Sequence, residues 1–395
     1  MKKFVYLNIT KFIALLLIFH GSAARADLSL PDDLQIHGFL TQAFFHSSDN
    51  NFYGQSDDDV SPGLTEIGLN AAYQLLPRLR FAAQGLYRRA GDLDHGSVRL
   101  DYGLADLTLL SYDSGRVGIR AGRVKVPYGL YNETRDVSFT HPTVTLPQGI
   151  YFDQSRSLML SADGGSFYAD QRVPFGDLHF KFNYGLALDD NQEVKTATLG
   201  LGARGMLKAR PALATQLAYE INGGEYIVAV SYLDLTLDYQ PMPGEQLLAG
   251  NTHLQPLLFS AQYNGEKLTL TAEYDYRWYT MTGYGRDFQL QAQSWYVQGS
   301  YQLLSKLQAT VRYDVFDIKT SGIKQADILA AAANQSPYAH DWMTGLRWDI
   351  SSSWMVRAEY HRINGTAWLP YADNHDRSQL TSNWDLYALQ LSFRF

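Results

Sequence analysis

Cysteine is absent from the 395-residue chain, so neither a disulfide framework nor a thiolate metal site is available to it. Long apolar runs are also missing. The one compact run, Phe12–Phe19, is too short for a membrane-spanning helix, which needs about 20 apolar residues. Basic residues are scarce, with 33 Lys and Arg against 40 Asp and Glu. An acidic chain argues against nucleic acid as a partner. Signatures of catalysis are lacking as well: the chain holds no Gly-x-Ser-x-Gly and no His-Glu-x-x-His. The string Gly200-Leu-Gly202-Ala-Arg-Gly205 has the spacing of a dinucleotide fingerprint. It reads as part of an alternating strand with no helix after it, and so lacks the required context. No enzymatic activity and no cofactor are expected.

Lys2 and Lys3 precede the short apolar run, and Ala24-Arg25-Ala26 follows it. Charged, apolar and small-residue parts in this order predict a secretory signal peptide over residues 1–26, cleaved after Ala26. Four of the 33 basic residues leave with it and no acid does, so residues 27–395 carry 29 basic and 40 acidic groups, a formal net of −11. Tyrosine is abundant at 27 copies, yet mean hydropathy is only −0.24. Many aromatics in a chain that is not greasy overall suits strands with one apolar face and aromatic girdles.

Period-2 alternation recurs along residues 27–395, which are expected to form a single domain. Leu178, Phe180, Phe182, Tyr184, Leu186 and Leu188 alternate with polar or small residues, as do Leu268, Leu270, Ala272, Tyr274, Tyr276 and Trp278. Leu307–Val315, Trp342–Ile350 and the closing Tyr387–Phe395 repeat the pattern. Soluble sandwiches alternate too, but here the polar face carries isolated Arg, Glu and Asp near strand centres. Trp342 and Trp348 share a face six residues apart, roughly 20 Å in a strand, close to the ~25 Å apolar band of a membrane barrel. Short links (Leu75–Arg78, Ser111–Gly115, Asn264–Gly265, Leu303–Lys306, Ser351–Ser353) contrast with long ones (48–63, 124–156, 280–288, 317–339, 364–382). The expected fold is all-β: a transmembrane antiparallel β-barrel of 16 strands, with 18 as the alternative. It must close, because lipid cannot satisfy backbone groups at a sheet edge. The count turns on residues 212–239, where two alternating segments straddle Gly223-Gly224. Residues 324–335 read as a short helix in a loop.

A barrel of this size leaves an aqueous channel, and residues 124–156 are the expected constriction. Three prolines stiffen the segment, aromatics and aliphatics give it packing surface, and Lys125, Glu133, Arg135, Asp136 and Asp153 supply charge for a transverse field. On the polar faces of strands, Arg80, Arg88, Arg99, Arg120, Lys181, Arg204, Arg277, Arg312, Arg347, Arg357 and Arg394 face the lumen. Asp101, Glu220, Glu273, Asp275, Asp314, Asp341, Asp349 and Glu359 lie among them. This wall leans basic and predicts a mild anion preference; pairing of the charges across strands is the competing interpretation. His361 is an isolated lumen histidine with no nucleophile nominated by spacing. The acidic run Asp57–Asp59 reads as a solvated turn rather than a divalent-ion site.

Gly122-Arg-Val-Lys-Val-Pro-Tyr-Gly-Leu-Tyr-Asn-Glu-Thr-Arg-Asp136, Ile36-His-Gly-Phe39, Thr65-Glu-Ile-Gly-Leu-Asn70 and the closing strand resemble the phosphate-selective-porin-like group of Gram-negative outer-membrane porins. The resemblance implies a 16-stranded homotrimer in the outer membrane with an inward third loop. It implies passive diffusion of ions and small anionic or neutral solutes, contact with outer-membrane lipid and lipopolysaccharide, and handling of the closing strand by the barrel-assembly machinery. Strongly phosphate-selective members carry a dense basic cluster, whereas this loop mixes both signs, so phosphate selectivity is not implied. A barrel-embedded hydrolase or adhesin scaffold is the alternative from another class.

Overall fold

A computed structural model describes residues 33–395 except 189–191, 201, 286 and 322–334. The compact unit is Ile36–Phe395. It is built from β1 (Leu34–Ser47), β2 (Ser61–Leu76), β3 (Leu79–Ala90), β4 (Asp94–Tyr112), β5 (Gly115–Lys125), β6 (Ser161–Val173), β7 (Gly176–Ala187), β8 (Met206–Ala209) and β9 (Pro211–Ile221), followed by β10 (Tyr226–Gln240), β11 (Gly250–Asn264), β12 (Leu268–Gly283), β13 (Phe288–Leu304), β14 (Leu307–Ser321), β15 (Tyr338–Asp349), β16 (Trp354–Gly365) and β17 (Asn383–Arg394). Neighbours in sequence are neighbours in space, and β17 returns to β1 in a register running from Phe39↔Arg394 to Ser47↔Leu386. β8 and β9 both pair with β10, on either side of Arg210, and so share one position in the wall. Proline at position 211 has no N–H to continue the ladder. The result is a closed 16-strand antiparallel barrel. The doubt over residues 212–239 resolves into two strands joined at Ile221↔Tyr226. Asn222 and Gly223 take positive φ (52° and 69°), the twist that a tight hairpin requires.

Outward faces carry the apolar residues that the alternation assigns to them. Trp342 and Trp348 both project outward, each more than half exposed. Long and short links fall at opposite rims, with two corrections. The third long loop runs over 126–160 rather than 124–156, since Lys125 still belongs to β5 and β6 begins only at Ser161. The Gly200–Gly205 string is not in a strand. It follows an α-helix, Gln192–Leu199, whose end Gly200 caps with a φ of 85° and an N–H donated to Thr196 O (2.8 Å). Arg204 is therefore a loop residue, its N–H donating to Glu245 at 2.8 Å, and not a lumen-wall cation. The expected helix over 324–335 falls almost wholly outside the described residues.

Two apolar clusters fill the upper interior. One joins Tyr128, Tyr131, Leu146, Ile150, Tyr151, Leu158 and Met159 of the third loop to Leu233, Leu235, Leu237 and Tyr239 of β10, with Leu258 and Tyr296. On β10 Leu233, Leu235 and Leu237 therefore point inward and Tyr232, Asp234, Thr236 and Asp238 point out. The wall's alternation is inverted here, as it is where Phe45, Trp384 and Leu386 turn inward. The loop supplies the cause, since each aliphatic side chain fully buried against it is worth about 1.5–3 kcal/mol. The second cluster packs Phe45, Phe52, Tyr53, Trp368, Leu369 and Trp384 with Val144, drawing the loops of residues 48–60 and 366–382 together.

Candidate functional site

The third loop enters the barrel and is bonded around the inner wall. Its neck is closed by the Asn132 amide, which donates to the carbonyls of Val126 (3.0 Å) and Met159 (2.6 Å). Beyond the neck, Gly129 N–H donates to Ser231 Oγ on β10 (3.1 Å), and Gln216 of β9 donates to the Gly129 carbonyl (2.9 Å). Glu273 on β12 accepts four bonds: from Tyr151 Oη (2.6 Å), Tyr296 Oη (2.9 Å), Ser260 Oγ (2.6 Å) and Leu130 N–H (3.0 Å). Arg277 donates to the carbonyls of Gly149 (2.8 Å) and Ile150 (2.9 Å). Arg312 donates to Thr145 O (2.9 Å), and Arg357 to His141 O (2.8 Å) and Thr143 O (2.5 Å). Ser138 meets Thr41 of β1 at 2.7 Å. The loop thus touches β1, β9, β10, β12, β14 and β16, crossing the lumen.

The expected site residues divide into three groups. Arg88, Lys125, Arg135, Asp136 and Asp153 meet in one buried network. Asp153 accepts from Arg88 (2.5 Å), Arg135 (3.3 Å) and Tyr53 Oη (2.7 Å), and Arg88 also holds Glu66 (3.1 Å). Lys125 bridges Asp101 (2.6 Å) and Asp136 (2.9 Å), and Asp136 pairs with Arg156 as well. Arg277 and Arg312 form the second group; with Arg357, a lumen residue by the alternation, they hold loop backbone and are fully buried. The third group stays accessible: Arg80, Arg99 beside Asp94 (2.7 Å), Arg120 beside Asp106 (2.9 Å), and Glu133 beside Lys181 (2.5 Å). Arg120 keeps 28% of its side chain exposed, against 1% for Arg312.

His361 is not isolated. Its Nδ1 meets Asp341 Oδ2 at 2.8 Å, and its Nε2 lies 3.3 Å from Glu359 and 3.4 Å from Thr145 Oγ1. Thr145, His361 and Asp341 follow the order of a hydroxyl–imidazole–carboxylate triad. Glu359 nevertheless competes for the same imidazole nitrogen and also accepts the N–H groups of Val144 and Thr145 (3.2 Å for the latter). With all four side chains buried, the arrangement straps the loop to β15 and β16.

The polar link expected over 364–382 is the 366–382 loop, and it closes over the third loop. Gln154 donates to the carbonyls of Trp368 (3.3 Å) and Leu369 (3.0 Å). Asp373 accepts N–H groups from Tyr53 (2.9 Å), Gly54 (3.0 Å) and Asp92 (2.9 Å), tying three loops together. Burial pushes its carboxyl up to about 6 against the pull of those three donors. The folded value lies above the unfolded value of about 3.9. The cap's stability is therefore complete below pH 4 and declines as pH rises through about 6. Protease cleavage in the loops of residues 48–60 and 366–382 is expected to slow between pH 7 and pH 5. Asp373→Asn should remove that dependence, and a pH response unchanged in the variant would refute the assignment.

No family model matches the sequence, and curated proteins give no match. Solved structures do. The outer-membrane channel DcaP of Acinetobacter baumannii aligns with a TM-score of 0.58 at 11% identity, over 92% of this chain and 97% of that one. The anion-selective porin of Comamonas acidovorans gives 0.57 at 14% identity (92% and 99%), and Salmonella typhi OmpF, solved with daunomycin, 0.55 at 16% (93% and 99%). At these identities the likeness establishes the fold, a barrel matching those of outer-membrane proteins and porins.

Proposed function

We propose that this chain is an outer-membrane porin: a water-filled channel for passive diffusion of ions and small hydrophilic solutes, without enzymatic activity. The observation that carries the reading is the 126–160 loop, pinned across the lumen by Glu273, Arg277, Arg312 and Arg357 while charged side chains below it remain accessible. A weak anion preference fits best. Arg88, Arg277, Arg312 and Arg357 are committed to loop contacts, and accessible cations such as Arg120 and Lys181 stand beside acids, which dilutes the field that rings of basic groups produce. Planar-bilayer recording tests both statements. Ion-sized steps without added substrate, with a reversal potential modestly on the anion side in a potassium chloride gradient, are expected. Absence of conductance would reject the channel; cation selectivity would reject the preference.

The segment resembling phosphate-selective-porin-like proteins forms the end of β5 and the loop neck, which favours placing the chain in that group. A homotrimer is part of the reading, supported by a groove of about 500 Å³ on the outer wall of β2–β5, lined by Ala71, Ala83, Gly103, Ala105 and Ala121 beside Tyr73 and Phe81. A Vibrio cholerae OmpT of similar fold is described as a trimer. Removal of residues 1–26 after export, and engagement of β17 by the barrel-assembly machinery, complete the proposal; sequencing the mature N-terminus tests the former.

A further inference from the structure

We propose that a recess on the outer wall, between β10 and β13, binds the sugar headgroup of a membrane glycolipid. The inference rests on the outer-membrane reading and goes beyond it. Outward side chains change character at one level on four adjacent strands. Val228 and Val230 give way to Tyr232 and Asp234; Phe259 and Leu257 to Gln255; Tyr274 and Tyr276 to Trp278 and Thr280; Val297 and Trp295 to Gln291 and Gln289. Register places Gln255 opposite Trp278 and Trp278 opposite Gln291. The recess at this level holds about 360 Å³, at the lower end of ligand-sized pockets (about 300–1,000 Å³), and is lined by Tyr232, Gln255, Trp278, Thr280, Gln289 and Gln291.

Its chemistry suits hydroxyl-rich rings. Trp278 is 38% exposed, standing edge-on to Tyr276 at 4.4 Å, and offers an apolar ring to a sugar face. Gln255 is oriented by donating to Tyr232 Oη (2.8 Å) and Asp234 Oδ2 (3.0 Å), the second oxygen of Asp234 meeting His253 at 3.0 Å. Among the described residues, the amides of Gln289 and Gln291 and the indole N–H of Trp278 make no hydrogen bond. Paired donors and acceptors on planar amides match vicinal hydroxyls. None of the lining residues is cationic; the nearest cation, Lys319, stands across from Gln291 on β14, at the edge of the recess. The position, directly above the apolar band, selects a lipid-borne sugar over a soluble one. The trimer groove lies on other strands and leaves this face to lipid.

The test uses the full-length protein in nanodiscs, comparing wild type with Trp278→Leu and with Gln289→Ala/Gln291→Ala, all outward-facing changes. Rough lipopolysaccharide, phosphatidylglycerol and free core oligosaccharide are the probes, and retained ligand is read by native mass spectrometry. Expected are at least a fivefold loss of lipopolysaccharide retention in each variant and no change for phosphatidylglycerol. Equal retention by variants and wild type, or equal retention of phosphatidylglycerol and lipopolysaccharide by wild type, would overturn the proposal. Free oligosaccharide bound as tightly as lipopolysaccharide would overturn the lipid assignment. Conductance and heat-modifiable migration, measured on the same samples, report separately on the porin reading.

Discussion

Replacing Arg357 with methionine will destabilise the barrel by about 3–5 kcal/mol, the range for removing one partner from a buried charged network. The side chain is almost wholly buried and donates to His141 O, Thr143 O and Gln390. Methionine fills much of the volume but leaves two loop carbonyls and an amide oxygen without donors. The lost transition midpoint in denaturant, measured on detergent-refolded protein, reports the cost. Cleavage within 126–160 under limited proteolysis reports where it falls. A variant with the wild-type midpoint would mean that the loop is held elsewhere.

The second large effect is expected at Glu273. Leucine at this position strands two tyrosine hydroxyls and a serine hydroxyl and leaves the Leu130 N–H only Tyr151 Oη (2.9 Å), at about 1–3 kcal/mol for each donor left buried and unmet. Some will turn to water as the loop tip lifts, so a net loss of about 4 kcal/mol is expected. Single-channel conductance should rise and its spread broaden, because the tip is what occupies the lumen. Glu273→Gln, keeping one acceptor oxygen, should fall between. In a cycle with Tyr151→Phe, a coupling of about 1–2 kcal/mol is expected for residues in direct contact. Conductance unchanged in Glu273→Leu would show that the loop does not narrow the channel.

Period-2 alternation made most of the wall legible, because a side chain facing lipid and one facing the interior meet different solvents at every step. It misled at two places, for different reasons. On β10, Leu233, Leu235 and Leu237 face inward to meet the third loop, so apolar no longer means outward. Around Gly200–Gly205, small residues fit a strand by spacing, yet the segment caps the Gln192–Leu199 helix instead. The inward loop itself was readable from its prolines and apolar content. Its anchors were not. Glu273, Arg357, Glu359 and His361 sit more than 100 residues from the loop atoms they hold, and nothing in local spacing reports such a contact. Of the arginines assigned to the polar face, Arg277, Arg312 and Arg357 grip loop backbone instead of lining water, and Arg204 belongs to a loop. Tyr53, Gln154 and Asp373 were missed outright, as their partners lie on three separate loops.

The seam between β1 and β17 has a kinetic consequence. It pairs Phe39 with Arg394 and lets Thr41 meet Ser392 at 3.1 Å, across 351 positions of chain. Every other ladder is a local hairpin or close to one. Loop-closure entropy for that final pairing must be met before its hydrogen bonds form. Hairpins can therefore accumulate in order, but zipping the cylinder shut is a late, slow event. Until then two raw edges invite mispairing with another chain.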